Sequence, residues 1–399
     1  MADERVVVAG AGLAGLRTVE ELRDRGHTGP ITLVGAEHHP PYDRPPLTKL
    51  FMAGKLDDTT LRADLPALGV DLRMGETATG LGDGVLYTDQ GEHAFDTLVV
   101  ATGAVPVRLP GPGPQRVLRT VDDALALRTA LRPGTRLAIV GAGWIGAELA
   151  TTAAGRGCLV SVVEAGPAPL SAVLGAEVGA VTAAWYADAG VELLLGQPVQ
   201  SIGPGGLRLA GGGWVAADEV VTAVGVRPAV GWLEGSGVRL DNGVAVDEWL
   251  RASVPGVYAV GDCAAFVSRR YGRRLRVEHW DSALHGPAVV AANIRGGQEP
   301  YDPVPYFWSE QFGRMVQYAG HHTGADRLVW RGDVAGPTWS ACWLTSRDGA
   351  GERLVAVLAV GRPRDLLQGR RLVAAGSAVD PGKLADPAVP MRETASSDQ

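Results

Sequence analysis

Cysteine is scarce in this 399-residue chain, where Cys158, Cys263 and Cys342 are the only three and show no CxxC or zinc-ligand spacing. This pattern indicates neither a disulfide framework nor a metal cluster. No apolar run approaches the roughly 20 residues that span a bilayer. The net charge of −7 argues against nucleic-acid binding, which usually requires a dominant positive field. We therefore expect a soluble, cytoplasmic protein with no metal, no nucleic-acid partner and no membrane partner.

Glycine is abundant, with 55 residues, and two glycine-rich turns follow the same pattern. Each comes after an apolar run of strand length and before a segment of helix length. The first combines Arg5–Ala9 with Gly10–Gly15, and the second combines Arg136–Val140 with Gly141–Gly146. This pattern is typical of a dinucleotide-binding unit, so the chain is predicted to contain two of them.

The first unit has a residue for each task in binding a dinucleotide. Gly10 permits the sharp turn, Gly12 lets the backbone approach a pyrophosphate, and Gly15 allows the helix to pack closely on the strand. The start of the helix offers free N–H groups and a positive dipole end to the phosphates. Glu37 follows the next strand, where a carboxylate accepts hydrogen bonds from ribose hydroxyls.

The second unit repeats these features with Gly141, Gly143, Gly146 and the acid Glu164. The Glu164 carboxylate can hold a ribose 2′-hydroxyl but would repel the 2′-phosphate of NADPH. Residues 165–172 contain no Arg or Lys that could pair with that phosphate. The sequence therefore favours NADH over NADPH.

Two nucleotide sites could hold two NAD molecules, two FAD molecules, or one of each as a redox relay requires. Strand-like residues before Gly261 and Asp262 suggest that the chain returns to the first unit, where Asp262 could bond a flavin's ribityl or pyrophosphate region. An ordinary turn explains Gly261 and Asp262 equally well. We assign FAD to the first unit and NADH to the second.

The fold class expected is α/β, with two Rossmann-like dinucleotide-binding domains, for FAD and NAD, followed by a C-terminal α+β interface domain. From about Val304 the sequence becomes aromatic and strand-like, which suits an antiparallel sheet. The expected bounds are 1–110 with 233–303 for the FAD domain, 111–232 for the NAD domain, 304–384 for the interface domain, and 385–399 for a disordered tail.

Six motifs together resemble the NADH-dependent ferredoxin reductases of oxygenase systems, which are flavoproteins built like glutathione reductase. The motifs are Pro41–Lys49, Ala101–Gly103, Gly141–Glu148, Val257–Cys263, Glu278–Trp280 and Tyr306–Ser309. The resemblance extends over about residues 5 to 380. It implies the same three domains, and FAD and NADH as cofactors.

The resemblance also implies roles for individual residues. Lys49 is expected near flavin N5, Glu148 at the nicotinamide carboxamide, and Trp280 as an aromatic wall of the flavin, so these three are the expected catalytic residues. The further residues expected at FAD are Leu13, Ala14, Arg44, Pro45, Ala78, Thr102, Gly103, Arg119, Gly261, Asp262, Glu278 and His279, and those expected at NAD are Ile145 and Gly225. The ordinary alternatives are a solvated lysine, a surface glutamate and a core tryptophan.

The sequence departs from the family pattern at a few positions. Ala168 and Ala172 stand where arginines are common, which puts the affinity for NADH in doubt but not its use. His285 replaces an expected Gln, and Glu310 replaces an expected Asp. We assign no role to His285 or Glu310.

The predicted flavin segment Arg44–Lys49 contains no cysteine, which disfavours disulfide and peroxide reductase chemistry. Electrons are then expected to leave the flavin directly for a 2Fe-2S ferredoxin, and through it to reach an oxygenase. Five arginines around a predicted hairpin tip at Tyr271 and Gly272 are the candidate docking surface for such an acidic partner; they are Arg269, Arg270, Arg273, Arg274 and Arg276. The alternative for the hairpin is an ordinary solvated loop. The alternatives for the function are a reductase of another small acceptor, such as rubredoxin or a quinone, and a nucleotide-sensing flavoprotein.

Overall fold

The computed structural model describes residues 4–346 and 351–396. Its strands are β1 (Val6–Ala9), β2 (Ile31–Gly35), β3 (Val70–Met74), β4 (Ala78–Gly82), β5 (Val85–Thr88), β6 (Glu92–Ala94), β7 (Thr97–Val100), β8 (Ala104–Pro106), β9 (Arg136–Val140), β10 (Leu159–Val163), β11 (Glu192–Leu194), β12 (Val199–Gly203), β13 (Gly206–Leu209), β14 (Trp214–Ala216), β15 (Glu219–Thr222), β16 (Val226–Pro228), β17 (Val244–Ala245), β18 (Val257–Ala259), β19 (Ala264–Ser268), β20 (Arg273–Arg276), β21 (Tyr306–Gln311), β22 (Arg314–Gly320), β23 (Arg327–Arg331), β24 (Trp339–Thr345) and β25 (Arg353–Val360). Its α-helices are α1 (Leu13–Asp24), α2 (Val121–Ala130), α3 (Trp144–Gly155), α4 (Ser171–Leu174), α5 (Ala176–Thr182), α6 (Ala184–Asp188), α7 (Trp280–Ile294), α8 (Pro363–Ala375) and α9 (Pro381–Ala385). None of the helices in these described ranges is long and apolar enough to cross a bilayer.

The chain divides into two compact units. The first consists of Met1–Asp43, Asp58–Val105 and Val226–Pro303, and the second of Arg44–Asp57, Pro106–Gly225 and Val304–Gln399. The change of unit after Val105 falls in a Pro- and Gly-rich stretch, which can neither extend a helix nor sit within a sheet. The segment Arg44–Asp57 groups with the second unit, although the expected flavin segment begins there.

The first unit contains a five-stranded parallel sheet in the order β18-β7-β1-β2-β3. Val6 in β1 pairs with Ile31 on one side and Thr97 on the other. All four residues of β1 are buried, as expected for a continuous apolar strand inside a covered parallel sheet. Because β18 pairs with β7, the predicted return of the chain to the first unit is confirmed.

The second unit contains a four-stranded parallel sheet, with the order β11-β10-β9-β15, and a three-stranded antiparallel sheet, with the order β12-β13-β14. It also contains a five-stranded antiparallel sheet, with the order β21-β22-β25-β24-β23. Helix α8 packs against β25 of the antiparallel sheet. These sheets confirm the predicted α/β class with a C-terminal α+β part. Strand β24 lacks the polar alternation that marks an ordinary surface strand, because Trp339–Leu344 are all buried.

The expectation of a disordered tail is wrong for residues 385–396. Met391–Thr394 form a 3-10 helix, and Val379 bridges to Ala395. The buried guanidinium of Arg331 donates to the carbonyl oxygens of Leu384, Asp386 and Val389, at 3.1, 2.5 and 2.6 Å. Every residue has a main-chain carbonyl, whatever its side chain. The small, polar side chains of the C-terminal segment therefore do not show that its backbone is bound by Arg331. Residues 397–399 lie outside the described part of the chain.

Candidate functional site

The first glycine-rich turn has a shape that larger residues could not adopt. Gly10 has a φ of +116°, and a Cβ there would lie 2.2 Å from the carbonyl oxygen of Ala101. A Cβ on Gly15 would lie 1.8 Å from the carbonyl oxygen of Gly10, so the helix packs directly against the turn. A Cβ on Gly12, by contrast, would meet nothing within 4 Å. The backbone at Gly12 therefore faces open space, which suits the approach of a phosphate.

The second turn repeats this geometry. Gly141 has a φ of +103°, and its Cβ would lie 2.5 Å from the carbonyl oxygen of Ala223. A Cβ on Gly146 would lie 2.0 Å from the carbonyl oxygen of Gly141, while one on Gly143 would again meet nothing within 4 Å. In both turns, the first and third glycines avoid a clash with a nearby carbonyl oxygen, and the middle glycine faces open space.

Helices α1 and α3 begin at these turns with their first N–H groups uncapped by side chains. Gly12 and Gly143 are the N-cap residues, neither helix has a side-chain cap, and neither has an acid in its first turn. Both helices are 12 residues long, so each presents a full dipole and free donors at its start. These features fit the pyrophosphate of a bound dinucleotide. The expected contact residues Leu13 and Ala14 open α1.

The carboxyl ends of neighbouring parallel strands place other expected FAD residues along one sheet edge. Glu37 follows β2, Thr102 and Gly103 follow β7, and Gly261 and Asp262 follow β18. A Cβ on Gly261 would lie 3.2 Å from the Ala14 Cβ, so this turn packs close to the start of α1. Ligands of open α/β sheets bind at such an edge. The Thr102 hydroxyl is itself held by the carbonyl of Ala229 at 2.8 Å.

Hydrogen bonds hold the side chains of Glu37 and Trp280, which are both expected FAD residues of the first unit. The Tyr42 hydroxyl donates to Glu37 Oε2 at 2.6 Å, and the Trp280 indole N–H donates to Asp43 Oδ1 at 2.6 Å. Trp280 is only partly buried, so it is not an ordinary core tryptophan. His279 is the N-cap of α7, Glu278 pairs with Arg276 at 2.5 Å, and Ala78 opens β4.

In the second unit, Glu164 lies directly against the glycine turn. Its Oε2 accepts from the Ala142 N–H at 2.8 Å, and its Oε1 accepts from the Gly166 N–H at 2.7 Å. Two backbone donors therefore fix the carboxylate that was predicted to read the ribose. Gly225 follows β15 at the same sheet edge with a φ of +101°. Ile145 is 41% exposed in the first turn of α3, which leaves it accessible to a ligand.

Glu148, also on α3, is the centre of a buried polar cluster. Its Oε2 accepts from the Thr48 hydroxyl at 2.5 Å and from the Lys49 ammonium at 2.7 Å. Its Oε1 accepts from the Ser309 hydroxyl at 2.6 Å. The side chains of Glu148 and Lys49 are 4% and 14% exposed, so the alternatives of a surface glutamate and a freely solvated lysine are wrong.

The segment that carries Lys49 is anchored by contacts within the second unit. Arg44 donates to the carbonyl of Arg119 at 2.7 Å, which places these two expected FAD residues beside each other. Pro45 begins a 3-10 helix that ends at Thr48, and the Thr152 hydroxyl donates to the Thr48 carbonyl at 2.8 Å. These contacts explain why residues 44–57 group with this unit.

All three cysteines are free and buried. Burial raises the pKa of the Cys158 and Cys263 thiols, and it raises the pKa of the Cys342 thiol to about 12. Thiolates, which are the reactive form, are therefore disfavoured at each position. No group of metal-ligating side chains occurs among residues 4–346 and 351–396.

The predicted arginine hairpin exists, because β19 and β20 pair through Ser268 and Arg273. Its positive surface is smaller than five arginines suggested. Arg274 donates to the carbonyls of Val246 and Ala265, at 2.7 and 2.5 Å, and its side chain is partly buried. Strand alternation turns this side chain away from the face of Arg273. Arg274 thus has a structural role and is not a free docking cation.

The other hairpin arginines also differ from one another. The Arg276 side chain is 10% exposed and is held by Glu278 and by the Asp262 carbonyl. Arg269 is exposed but pairs with Glu248. Arg270 and Arg273 are exposed, as the expected docking surface requires.

The residues that the sequence reading missed are mostly small polar ones. Thr48 and Ser309 belong to recognised motifs but had no assigned role, and their hydroxyls bind the Glu148 carboxylate. Contacts between residues 100 and 161 positions apart leave no local signal in one sequence. His285 is exposed and lies 3.5 Å from Asp281, and Glu310 is exposed on β21. The structure gives neither of these two a functional contact.

Comparisons with known proteins agree with this arrangement. The model of the pyridine nucleotide-disulphide oxidoreductase family matches residues 4–286, and that of the reductase C-terminal domain matches residues 306–395. The chain is 35% identical to the ferredoxin–NAD(+) reductase component of the p-cumate 2,3-dioxygenase system of Pseudomonas putida, over 98% of each chain.

Solved structures give the same result. The crystal structure of Fdr9 matches with a TM-score of 0.93 and 48% identity, over 97% of this chain and 99% of that one. A chain of the covalent putidaredoxin reductase–putidaredoxin complex matches with a TM-score of 0.93 and 31% identity, over 99% and 98%. This chain therefore belongs to the pyridine nucleotide-disulphide oxidoreductases with a reductase C-terminal domain, in the family of the ferredoxin reductases of oxygenase systems, and it is an oxidoreductase.

Proposed function

We propose that this protein oxidises NADH by hydride transfer to a bound FAD and passes single electrons to a 2Fe-2S ferredoxin that serves an oxygenase. The observation that carries this proposal is the pair of matching glycine turns, each with an uncapped helix start and open space at its middle glycine. Two dinucleotide sites in one chain, with no reactive thiol among the described residues, favour direct electron transfer over a sulfur relay.

The residues fit one cofactor of each kind. The turn Gly10–Gly15 would hold the FAD pyrophosphate, and Thr102, Asp262 and Trp280 would contact the same cofactor. The turn Gly141–Gly146 would hold NADH, with Glu164 at the ribose. When bound, FAD supplies the capacity to accept a hydride and to release electrons one at a time.

The protein's own contribution to this chemistry is positioning. The helix starts fix the phosphates, and the Glu164 carboxylate, held by two N–H groups, selects the ribose. The Lys49–Glu148 pair provides a fixed ammonium and carboxylate on the helix that begins at the proposed NADH turn, and it needs no proton transfer to do so. Holding the reactants in one geometry is itself a large catalytic effect.

We place ferredoxin docking on the exposed arginines Arg270 and Arg273. The protein is net negative, so an acidic ferredoxin needs a local positive surface to associate rapidly. The likeness to the ferredoxin–NAD(+) reductase component of the p-cumate system and to the putidaredoxin reductase–putidaredoxin complex supports a ferredoxin as the partner. An electrostatic role of this kind mainly changes the association rate and its dependence on salt.

A panel of electron acceptors tests the proposal. The purified protein is assayed with NADH and with NADPH against several 2Fe-2S ferredoxins, a rubredoxin and a soluble quinone, and kcat/KM is compared. We expect NADH with one of the ferredoxins to rank first. Preference for rubredoxin or the quinone by more than about tenfold would replace the ferredoxin assignment, and slow flavin reduction to a long-lived charge-transfer complex would indicate a sensor.

A further inference from the structure

The Glu148 carboxylate has donors on both of its oxygens. Ser309 holds Oε1 at 2.6 Å, while Thr48 and Lys49 hold Oε2 at 2.5 and 2.7 Å. A carboxylate held at one oxygen can rotate about its last bond, but one held at both is fixed in plane and direction. Because the carboxylate is 4% exposed, water does not readily replace a lost donor.

The donors come from parts of the second unit that are far apart in sequence. Thr48 ends the 3-10 helix after Arg44, Lys49 follows it, and Ser309 lies in the middle of β21. Ser309 is itself buried and accepts a hydrogen bond from Gln311 Nε2 at 3.1 Å. The Ser309 hydroxyl therefore has both an acceptor for its proton and a donor to its oxygen, which fixes its orientation.

Helix α3 brings these parts together through residues on one face. Glu148, Thr151 and Thr152 are spaced at i, i+3 and i+4 and so lie side by side. Thr151 accepts from the Phe312 N–H at 2.9 Å, and Thr152 donates to the Thr48 carbonyl at 2.8 Å. The backbones that carry Thr48 and Ser309 are thus both fixed to the helix that carries Glu148.

We propose that Ser309 and Thr48 are positioning residues that orient Glu148 and, through it, the Lys49 ammonium for hydride transfer. The inference rests on the proposed function, because that function supplies the reaction in which Lys49 and Glu148 act. It extends the proposal by giving the C-terminal antiparallel sheet a direct part in the hydride step. Removing the Ser309 hydroxyl leaves Oε1 without that donor, so the carboxylate can turn and the ammonium loses its fixed place.

The chain offers a matched control for this change. Ser340 is buried in β24, and its hydroxyl donates to the carboxylate of Asp365 at 3.2 Å. The substitution Ser340→Ala therefore also removes a hydroxyl from a buried carboxylate of the second unit. It does not touch Glu148, so it reproduces the structural cost of Ser309→Ala without the proposed effect.

The rate of amine labelling measures how accessible the Lys49 ammonium is, and the measurement does not require enzyme turnover. The chain has only three lysines, and Lys55 and Lys383 are exposed, so they serve as internal references. The holoprotein is treated with an acetylating reagent, and the labelling rate of each lysine is followed by mass spectrometry. We expect Lys49 to react about threefold faster in Ser309→Ala than in the wild type, and at the wild-type rate in Ser340→Ala.

Stopped-flow measurement of flavin reduction by NADH reads the proposed consequence. We expect the limiting rate at saturating NADH to fall about tenfold in Ser309→Ala, in line with the loss of a charge-assisted hydrogen bond. Reoxidation of the dithionite-reduced protein by ferricyanide should be unchanged, since that step does not involve the nicotinamide. Ser340→Ala should match the wild type in both steps.

A second pair of variants keeps the test valid if Ser309→Ala does not fold. Thr48→Val removes the hydroxyl but keeps the shape, and Thr48→Ser keeps the hydroxyl; we expect the first to be slow and the second to restore the rate. Unchanged Lys49 labelling and reduction rates in Ser309→Ala and Thr48→Val, or equal losses in Ser340→Ala, would overturn the inference. A wild type that NADH does not reduce would instead refute the proposed function, and the labelling contrast would still be readable.

Discussion

Glu164 offers the sharpest quantitative test of cofactor choice. The substitution Glu164→Ala removes the carboxylate that the N–H groups of Ala142 and Gly166 hold in place. A charge-assisted hydrogen bond to a ribose hydroxyl contributes about 1.5–3 kcal/mol. We therefore expect kcat/KM for NADH to fall roughly 10- to 150-fold, since each 1.4 kcal/mol is about a factor of ten.

The same substitution should affect NADPH differently. It removes a negative charge that opposes the 2′-phosphate, so kcat/KM for NADPH should stay the same or rise, and the preference for NADH should collapse. Steady-state ferricyanide reduction with each nucleotide measures both values. Glu192→Ala is the control. The Glu192 carboxylate also accepts a hydrogen bond in the same sheet, from the Ser161 hydroxyl at 2.6 Å, but Glu192 lies at the start of β11, whereas Glu164 follows the end of β10. Equal losses for NADH and NADPH in Glu164→Ala would refute the proposed reading of the ribose.

Three further predictions follow from the same structure. Arg270→Glu with Arg273→Glu should slow ferredoxin reduction, most steeply at low salt, and leave NADH-to-ferricyanide turnover intact; ferredoxin kinetics that do not change would remove the docking proposal. Cys263→Ala should keep ferredoxin turnover within about twofold of the wild type, and a turnover that requires this thiol would restore a sulfur relay. Arg331→Met should lower the free energy of unfolding by roughly 3–5 kcal/mol, because three main-chain carbonyls lose their donor and buried Asp365 keeps Arg362 but loses Arg331. An unchanged denaturant midpoint would contradict this.

The nucleotide-binding turns could be predicted from sequence because their constraints are local. Gly10 and Gly141 need a positive φ, and this requirement selects glycine at a fixed place after a strand. The helix starts were predicted less well. The sequence predicts a helix after each glycine-rich turn, but α1 and α3 begin inside the turns, at Leu13 and Trp144, because the middle glycine of each motif already serves as the N-cap.

The polar cluster and the C-terminal anchor could not be predicted in this way. Ser309 and Glu148 are 161 positions apart. Arg331 binds main-chain carbonyls, which the side-chain sequence does not identify. The hairpin shows a related limit, since a run of arginines does not reveal that Arg274 turns inward to carbonyl groups. The register of strand pairing decides which side chains of the hairpin point inward, and this register depends on the tertiary structure.

The central claim is that electrons pass from NADH to FAD and then directly to a ferredoxin. Anaerobic double mixing tests it most directly: the protein is mixed first with one equivalent of NADH and then with an oxidised 2Fe-2S ferredoxin, while flavin and iron–sulfur absorbance are followed. The account predicts stoichiometric bleaching of FAD in the first step and reduction of two ferredoxins per FAD in the second, in the wild type and in a variant with all three cysteines replaced by alanine. Absence of bound FAD, or a second step that fails only in the cysteine-free variant, would contradict it.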